Sequence, residues 1–383
     1  MRVLHVHSGN LYGGVETMLT TLARRRDACP EMEPHFALCF EGRLSEELVA
    51  NGARVHRLPN VRVSRPSAVL RARRSLAALL RDEKFDVVIC HSAWSHAVFA
   101  KVVRAAGLPL VFWSHDAASG THWLERWARR TPPDLAVCNS VYTARSIRSF
   151  FPSARAEVVY CPLDLPDLAP YRTHASRAAV RAELHTPLEA AVIIQVSRME
   201  AWKGHSPHLQ ALGLLKGLDG WVCWFVGGSQ RPGEVNYAKL LEAEAGRLGL
   251  GGRVRFLGAR RDVSRLLAAS DIFCQPNTRG EPFGLVFVEA LAAGLPVVTT
   301  DLGAAAEIID GTCGLLVAPA DPRALAAALR SLIESASLRS ELGAHGPQRA
   351  RNLCEVEPRF RDIHVLLAGA LAGVGGGESV GRG

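Results

Sequence analysis

The stretch TRGEPFGLVFVEALAAGLPVVTT, Thr278 to Thr300, sets two carboxylates, Glu281 and Glu289, around a loop that turns into a helix. Pro282, Phe283 and Gly284 predict a tight turn. Leu285 to Ala293 follow as an apolar helix, which Gly294 and Pro296 end before a strand. The amides of Gly284, Leu285 and Val286 are then the open N–H groups of a helix N-terminus, an anion site suited to phosphate. Glu281 lies just before that terminus and Glu289 more than a turn inside it. Carboxylates accept hydrogen bonds from sugar hydroxyls. A phosphate held between two such carboxylates describes a nucleotide sugar.

Working outward, the chain alternates short apolar runs with amphipathic helical patterns. Strands are expected at Val3 to His7, His35 to Phe40, Val87 to Cys90, Leu110 to Trp113, Leu135 to Cys138 and Val158 to Tyr160. A second series follows at Ala191 to Val196, Trp221 to Val226, Val254 to Leu257, Ile272 to Gln275, Val297 to Thr299 and Gly314 to Val317. Nearly continuous apolar strands separated by helices predict parallel sheets covered on both faces. Two series predict an α/β chain of two doubly wound, Rossmann-like domains, joined across the proline-rich Pro162 to Pro170. A length of 383 residues is consistent with two domains of ordinary size.

Nine cysteines without a CxxC pair predict reduced thiols in a cytoplasmic protein, neither a disulfide frame nor a zinc site. The strand that follows Met1 at once leaves no room for a signal peptide. No apolar run reaches membrane-spanning length. The net charge of +8 is uneven: up to Leu165 there are 22 Lys and Arg against 15 Asp and Glu. Arg71, Arg73, Arg74 and Arg81 share one helical stretch. HWLERWARR places Trp123 and Trp127 one turn apart beside Arg126, Arg129 and Arg130. Tryptophan with arginine on a helix suits peripheral contact with an anionic membrane; the plainer reading packs both tryptophans in the core. No nucleic-acid-binding module is present.

The remaining motifs lie at strand ends, where open sheets bind ligands. HSGNLYGGVET after the first strand brings Gly13 and Gly14 to a helix N-terminus, without the spacing of a dinucleotide fingerprint. His5 and His7 share one face of that strand, too few for a metal. FWSHDAASG carries His115 and Asp116. SRMEAWKG carries Arg198 and Lys203, two cations able to meet a diphosphate; at about 4 Å and an effective dielectric of ~20 each pairing gives ~4 kcal/mol before desolvation.

EPFGLVFVE, with two glutamates separated by seven residues, resembles the signature of family 4 retaining glycosyltransferases of the GT-B fold. The GG pair followed by Glu, and the Arg198 and Lys203 pair, are similar to other motifs of that family. FVGGSQ, with Gly228, resembles its glycine-rich turn near the nucleotide, and VRFLGAR its base-facing segment. Two departures stand out: Ser197 replaces the usual glycine, and CPLD at Cys161 to Asp164 replaces Asn-Gly-Val-Asp. The resemblance implies GT-B architecture, with two Rossmann-like domains facing each other across a cleft. Residues 1–165 would form the acceptor-side domain, completed by a returning helix at 356–371. Residues 171–355 would bind the nucleotide sugar, and 372–383 would be a disordered glycine-rich tail.

The resemblance further implies a hexosyltransferase that retains anomeric configuration and uses a UDP- or GDP-linked donor. Its acceptor would be a glycan, a lipid-linked precursor or a small molecule, in cell-surface glycan or glycolipid biosynthesis. Glu281 would hold donor-sugar hydroxyls and Glu289 ribose hydroxyls. His115 would stand at the reacting sugar, and Gly14 would give a backbone donor to phosphate. Arg198, Lys203 and the Gly284, Leu285 and Val286 amides would carry the leaving diphosphate. With no Asp-x-Asp in the chain, neither a metal nor another cofactor is expected. The alternatives are a nucleotide-sugar epimerase of the same fold and a non-catalytic nucleotide-sugar-binding subunit.

Overall fold

The computed structural model describes residues 1–375 and contains two parallel sheets. The first comprises β1 (Arg2–His7), β2 (Glu33–Leu38), β3 (Arg54–Arg57), β4 (Val87–His91), β5 (Leu110–Ser114), β6 (Leu135–Cys138) and β7 (Arg155–Val158). Their order is β3-β2-β1-β4-β5-β6-β7. The second holds β8 (Ala191–Val196), β9 (Trp221–Val226), β10 (Val254–Phe256), β11 (Ile272–Gln275), β12 (Val297–Thr300) and β13 (Gly314–Val317). Their order is β10-β9-β8-β11-β12-β13. In each sheet the order reverses beside the first strand, between β1 and β4 and between β8 and β11. Those are the topological switch points at which open sheets take ligands.

Burial explains why the central strands read so clearly. Every residue of β4, β5 and β9 is buried, because helices cover both faces of a doubly wound sheet. In the first sheet Val88 and Cys90 pack with Phe99, Val98 and Leu76, and in the second Ile193 and Phe225 pack with Leu209 and Leu212. The edges were harder to read. β3, RVHR, was not anticipated; it is a polar edge strand with no buried residue, and it pairs with β2 in register His35 with Arg54. The last strand of the first sheet lies at Arg155–Val158 rather than Val158 to Tyr160, again with no buried residue. An edge strand need not be apolar, so its hydrophobic pattern is faint.

The chain divides into a first unit, Met1–Asp164 with the chain from Cys354 onward, and a second, Leu165–Leu353. The return to the first unit begins at the end of the helix Ala336–Cys354 and continues in Val356–Gly375. That helix includes four residues assigned above to the glycine-rich tail; residues 376–383 lie outside the described part. Among the described residues no helix is long and apolar enough to cross a membrane. All nine cysteines are buried and free.

Candidate functional site

In the second unit the ends of β8 and β11 carry SRMEAWKG and TRGEPFGLVFVE. Lys203 ends a single 3-10 turn, Ala201–Lys203, and its ammonium lies 2.7 Å from Glu281 Oε2. Both side chains are largely buried, so the pair is a desolvated one whose rupture leaves an uncompensated charge. Gly204 makes this approach feasible: with φ at 77°, its backbone passes so close to Pro276 that a Cβ would lie 1.8 Å from the carbonyl oxygen. Asn277 Nδ2 donates to the same Glu281 oxygen at 2.9 Å, and Gln275 Nε2 donates to Asn277 Oδ1 at 3.1 Å.

The network runs on through Trp202. Lys203 sits 3.8 Å above its ring, a cation–π contact, and its indole donates to Glu200 Oε2 at 3.1 Å. Arg198 donates to that carboxylate at 2.9 Å and approaches Glu234 at 3.5 Å. Thus Lys203 and Glu281 are brought into direct contact, whereas Arg198 is held by Glu200 and Glu234. Glu281, expected to hold donor-sugar hydroxyls, has one oxygen engaged by Lys203 and Asn277. Glu200, Trp202, Glu234, Asn277 and Gln275 were not singled out from the sequence. A signal existed for Glu200 and Trp202, which stand between the two cations, and for Asn277, the polar residue just beyond the apolar strand end.

Gly284, with φ at 93°, caps the helix Leu285–Ala292, leaving its own amide and those of Leu285 and Val286 at the first turn. The glycine is needed because a Cβ there would lie 2.6 Å from the Phe287 ring. Glu281 is fixed in the preceding segment, where its carbonyl accepts from the Ala304 amide at 2.8 Å. Glu289 lies on the helix, and desolvation pushes its carboxyl up to about 7. Gly228 follows β9, and its carbonyl accepts from the Met199 amide at 3.4 Å, tying the glycine-rich turn to the segment after β8.

In the first unit the switch point carries Gly13, which caps the helix Gly14–Arg24 and accepts from the Thr17 amide at 3.0 Å. His115 follows β5 directly. Its Nε2 lies 2.9 Å from His91 Nδ1, and His91 Nε2 lies 2.9 Å from His5 Nδ1. Burial lowers His5 and His115 to about 3 and His91 well below its ordinary value, so the three rings are neutral at pH 7. His7 faces the Glu16 carboxylate at 2.7 Å and the His91 carbonyl at 3.2 Å. His91 is a further residue that sequence reading passed over, whereas Glu16 is the glutamate that follows the GG pair. Among the described residues no group of three or more His, Cys, Asp or Glu side chains is placed to hold a metal ion.

Other segments of the first unit are placed as follows. Ser140, two residues past β6, caps the helix Val141–Phe150 by accepting from the Thr143 amide at 3.0 Å. Asp164 of CPLD pairs with Arg24 at 2.8 Å and Arg25 at 2.9 Å. The two tryptophans part company: Trp127 is half-buried against the first unit's core, whereas Trp123 is 48% exposed, the rings stacking at 6.4 Å. Arg73 and Arg74, with Arg81 and Lys101, line a groove of about 540 Å³ floored by Leu80 and Val102.

Similarity to known proteins extends over both units. Residues 176–349 match the family described as glycosyl transferases group 1, and residues 12–166 match glycosyltransferase family 4. D-inositol 3-phosphate glycosyltransferase of Nocardioides sp. is 31% identical over 296 residues, covering 70% of this chain and 64% of that protein. A lipopolysaccharide core biosynthesis glycosyltransferase of Rhizobium meliloti is 36% identical over 171 residues, 44% of this chain and 47% of that one. The chain thus spans less than two thirds of the length of these curated relatives. Anabaena Alr3699/HepE, solved in complex with UDP and glucose, superimposes with a TM-score of 0.82 at 25% identity, over 96% of this chain and 99% of that one. Two parallel Rossmann-like sheets, these matched families and this structural likeness establish that the chain belongs to the group 1, family 4 glycosyltransferases of the GT-B fold.

Proposed function

We propose that the chain transfers a hexosyl group from a UDP-sugar to an acceptor hydroxyl, with retention of anomeric configuration. The observation that carries this reading is the buried Lys203–Glu281 pair, within one network with Arg198 and immediately before the open amides of the helix Leu285–Ala292. In the reaction the bond from the anomeric carbon to the diphosphate breaks, and the acceptor oxygen bonds the same face of that carbon. The acceptor proton leaves with the diphosphate oxygen. Arg198, Lys203 and the amides of Gly284, Leu285 and Val286 stabilise the departing charge. A preorganised donor of this kind is worth about 2.7 to 4 kcal/mol of barrier. Glu281 orients donor-sugar hydroxyls, Glu289 accepts from the ribose, and His115 serves the reacting sugar. UDP is favoured over GDP by the Anabaena structures, which hold UDP and UDP-glucose.

The acceptor is assigned to the first unit, whose part of the chain up to Leu165 holds 22 of the 45 Lys and Arg against 15 of the 37 Asp and Glu. That charge suits an acidic acceptor or a lipid-linked one at an anionic bilayer, in keeping with relatives named for inositol phosphate and lipopolysaccharide core. Thermal unfolding in EDTA with UDP, GDP, ADP and TDP tests the donor site. Ligand at ~100 times its dissociation constant adds ~2.7 kcal/mol, so UDP raises the melting temperature and the others do less. No shift with any nucleotide would overturn the reading. Co-sedimentation with vesicles of phosphatidylglycerol against phosphatidylcholine tests the membrane contact; equal recovery with both, or no loss in Trp123→Ala, would remove it.

A further inference from the structure

The ring nitrogens of His5, His91 and His115 form a column across three adjacent strands, and its loose ends decide its direction. The three residues stand on one face of the first sheet, with ring centroids 5.1 Å apart between His5 and His91 and 5.2 Å between His91 and His115. A neutral imidazole has one N–H and one bare nitrogen, so each 2.9 Å contact takes one of each. Only two arrangements satisfy both contacts. In one, protons point from His5 toward His115: His5 Nδ1–H donates to His91 Nε2, and His91 Nδ1–H donates to His115 Nε2. In the other, all are reversed.

The ends of the column separate the two. His5 Nε2 is buried with no hydrogen-bond partner, facing the apolar side where Phe36 stacks on the ring at 5.3 Å. The first arrangement leaves a bare lone pair there; the second buries an unpaired N–H, the rarer defect in folded proteins. At the other end His115 is half-buried and its Nδ1 makes no hydrogen bond among the described residues. The first arrangement therefore turns an N–H outward at His115 Nδ1, and the second a bare nitrogen. Trp113, stacked on both His91 at 5.5 Å and His115 at 5.8 Å, holds the two rings in plane with the column.

We propose that His91, oriented by His5, is a positioning residue that fixes His115 as the Nδ1–H tautomer, so that His115 meets its ligand as a hydrogen-bond donor rather than as a base. A donor suits a sugar or leaving-group oxygen; a bare nitrogen suits an acceptor hydroxyl that must lose its proton. This inference rests on the assignment of His115 to the reacting sugar, but the tautomer is a property of the first unit and can be read without turnover.

Long-range nitrogen–proton correlation spectra of the histidine rings at pH 7 distinguish protonated from bare nitrogens. The expected result is a proton on Nδ1 of His115 and of His91; a proton on His115 Nε2 would overturn the proposal. His91→Phe keeps the stacked ring and removes both nitrogens. It is expected to give a mixed His115 tautomer and to lower kcat by about 10- to 100-fold with the donor KM little changed, the range known for removing the hydrogen-bond partner of a metal-bound histidine. His91→Asn, whose amide can donate near the Nδ1 position, restores most of that loss. Should His91→Phe not fold, His5→Phe tests the same column from its far end, with a mixed His115 tautomer expected. Folded variants whose His115 spectrum and kcat match the parent, or equal losses in His91→Phe and His91→Asn with an unchanged tautomer, would overturn the role. Absence of turnover with every UDP-sugar, alongside a His115 Nδ1 proton, would count against the transferase reading and leave the column standing.

Discussion

The two units solve the same topological problem with opposite chemistry. Each presents polar side chains at the switch point of a parallel sheet, but the second does so with paired charges and the first with neutral rings. At β8 and β11, Lys203 meets Glu281 and Arg198 meets Glu200 and Glu234. At β1, β4 and β5, three histidines stack with their charge suppressed by burial. A diphosphate needs cations that keep their charge in a partly dry site, and carboxylate partners keep those cations in place before the ligand arrives. A donor to a sugar oxygen needs direction rather than charge, and a column of tautomers supplies direction.

The largest effects should come from the charged side. Lys203→Ala would remove the diphosphate contact proposed for it and strand Glu281, so kcat should fall by about 10²- to 10³-fold. Stability in urea should fall by roughly 3 to 5 kcal/mol, the usual cost of halving a buried pair. Glu281→Ala should abolish transfer while UDP still raises the melting temperature. Full turnover in either variant would break the comparison at its strongest point.

Acid should next expose the neutral side. His5 in the first unit is wholly buried and lowered by burial from 6.5 to about 3, and a second wholly buried ring, His208 on the helix His205–Leu214 of the second unit, is lowered likewise. Between those values the unfolded chain binds protons that the folded chain does not, so stability is full above pH 6.5 and is lost as pH falls. Each of the two should contribute about 2 kcal/mol of loss between pH 7 and pH 5. Urea titrations at the two pH values measure it, and His5→Gln should remove only its own share, because burial also lowers His115 to about 3 and His96 to about 4 in the same unit. A parent protein equally stable at both would show that the rings are not held neutral.

The smallest effect has the opposite sign and sits on the charged side. Glu289 is raised to about 7, so the folded chain holds its proton more tightly than the unfolded chain. Stability from this group is present at pH 5 and is lost as pH rises through 7. Glu289→Gln should therefore gain on the parent at pH 8 relative to pH 5, by an amount tempered by the partial exposure of the side chain. A variant that tracks the parent at both pH values would place Glu289 in a wetter setting than its neighbours imply.

Much of this was legible from sequence because it is local. The apolar runs VVICH and LVFWS read as buried parallel strands, and they are buried along their whole length. EPFGLVFVE read as turn, open amides and helix, since Gly284, Pro282 and the apolar pattern act within a few residues. What failed was also physical: RVHR and the Arg155–Val158 strand lie at sheet edges, where no burial imprints a pattern. Trp123 and Trp127 carry the same periodicity, yet one is out and one half in, which helical spacing alone cannot separate.

By itself, then, the sequence determined the alternation of strand and helix, the glycine-capped turn at Gly284 and the basic excess of the part up to Leu165. These follow from sterics, periodicity and charge within short segments. Only the tertiary structure decided that Lys203 would bind Glu281, 78 residues away, and that His5 and His115 would meet through His91, 86 residues from the first and 24 from the second. Strand order and register set those pairings, and they are fixed by the burial of whole sheets, which no local pattern encodes.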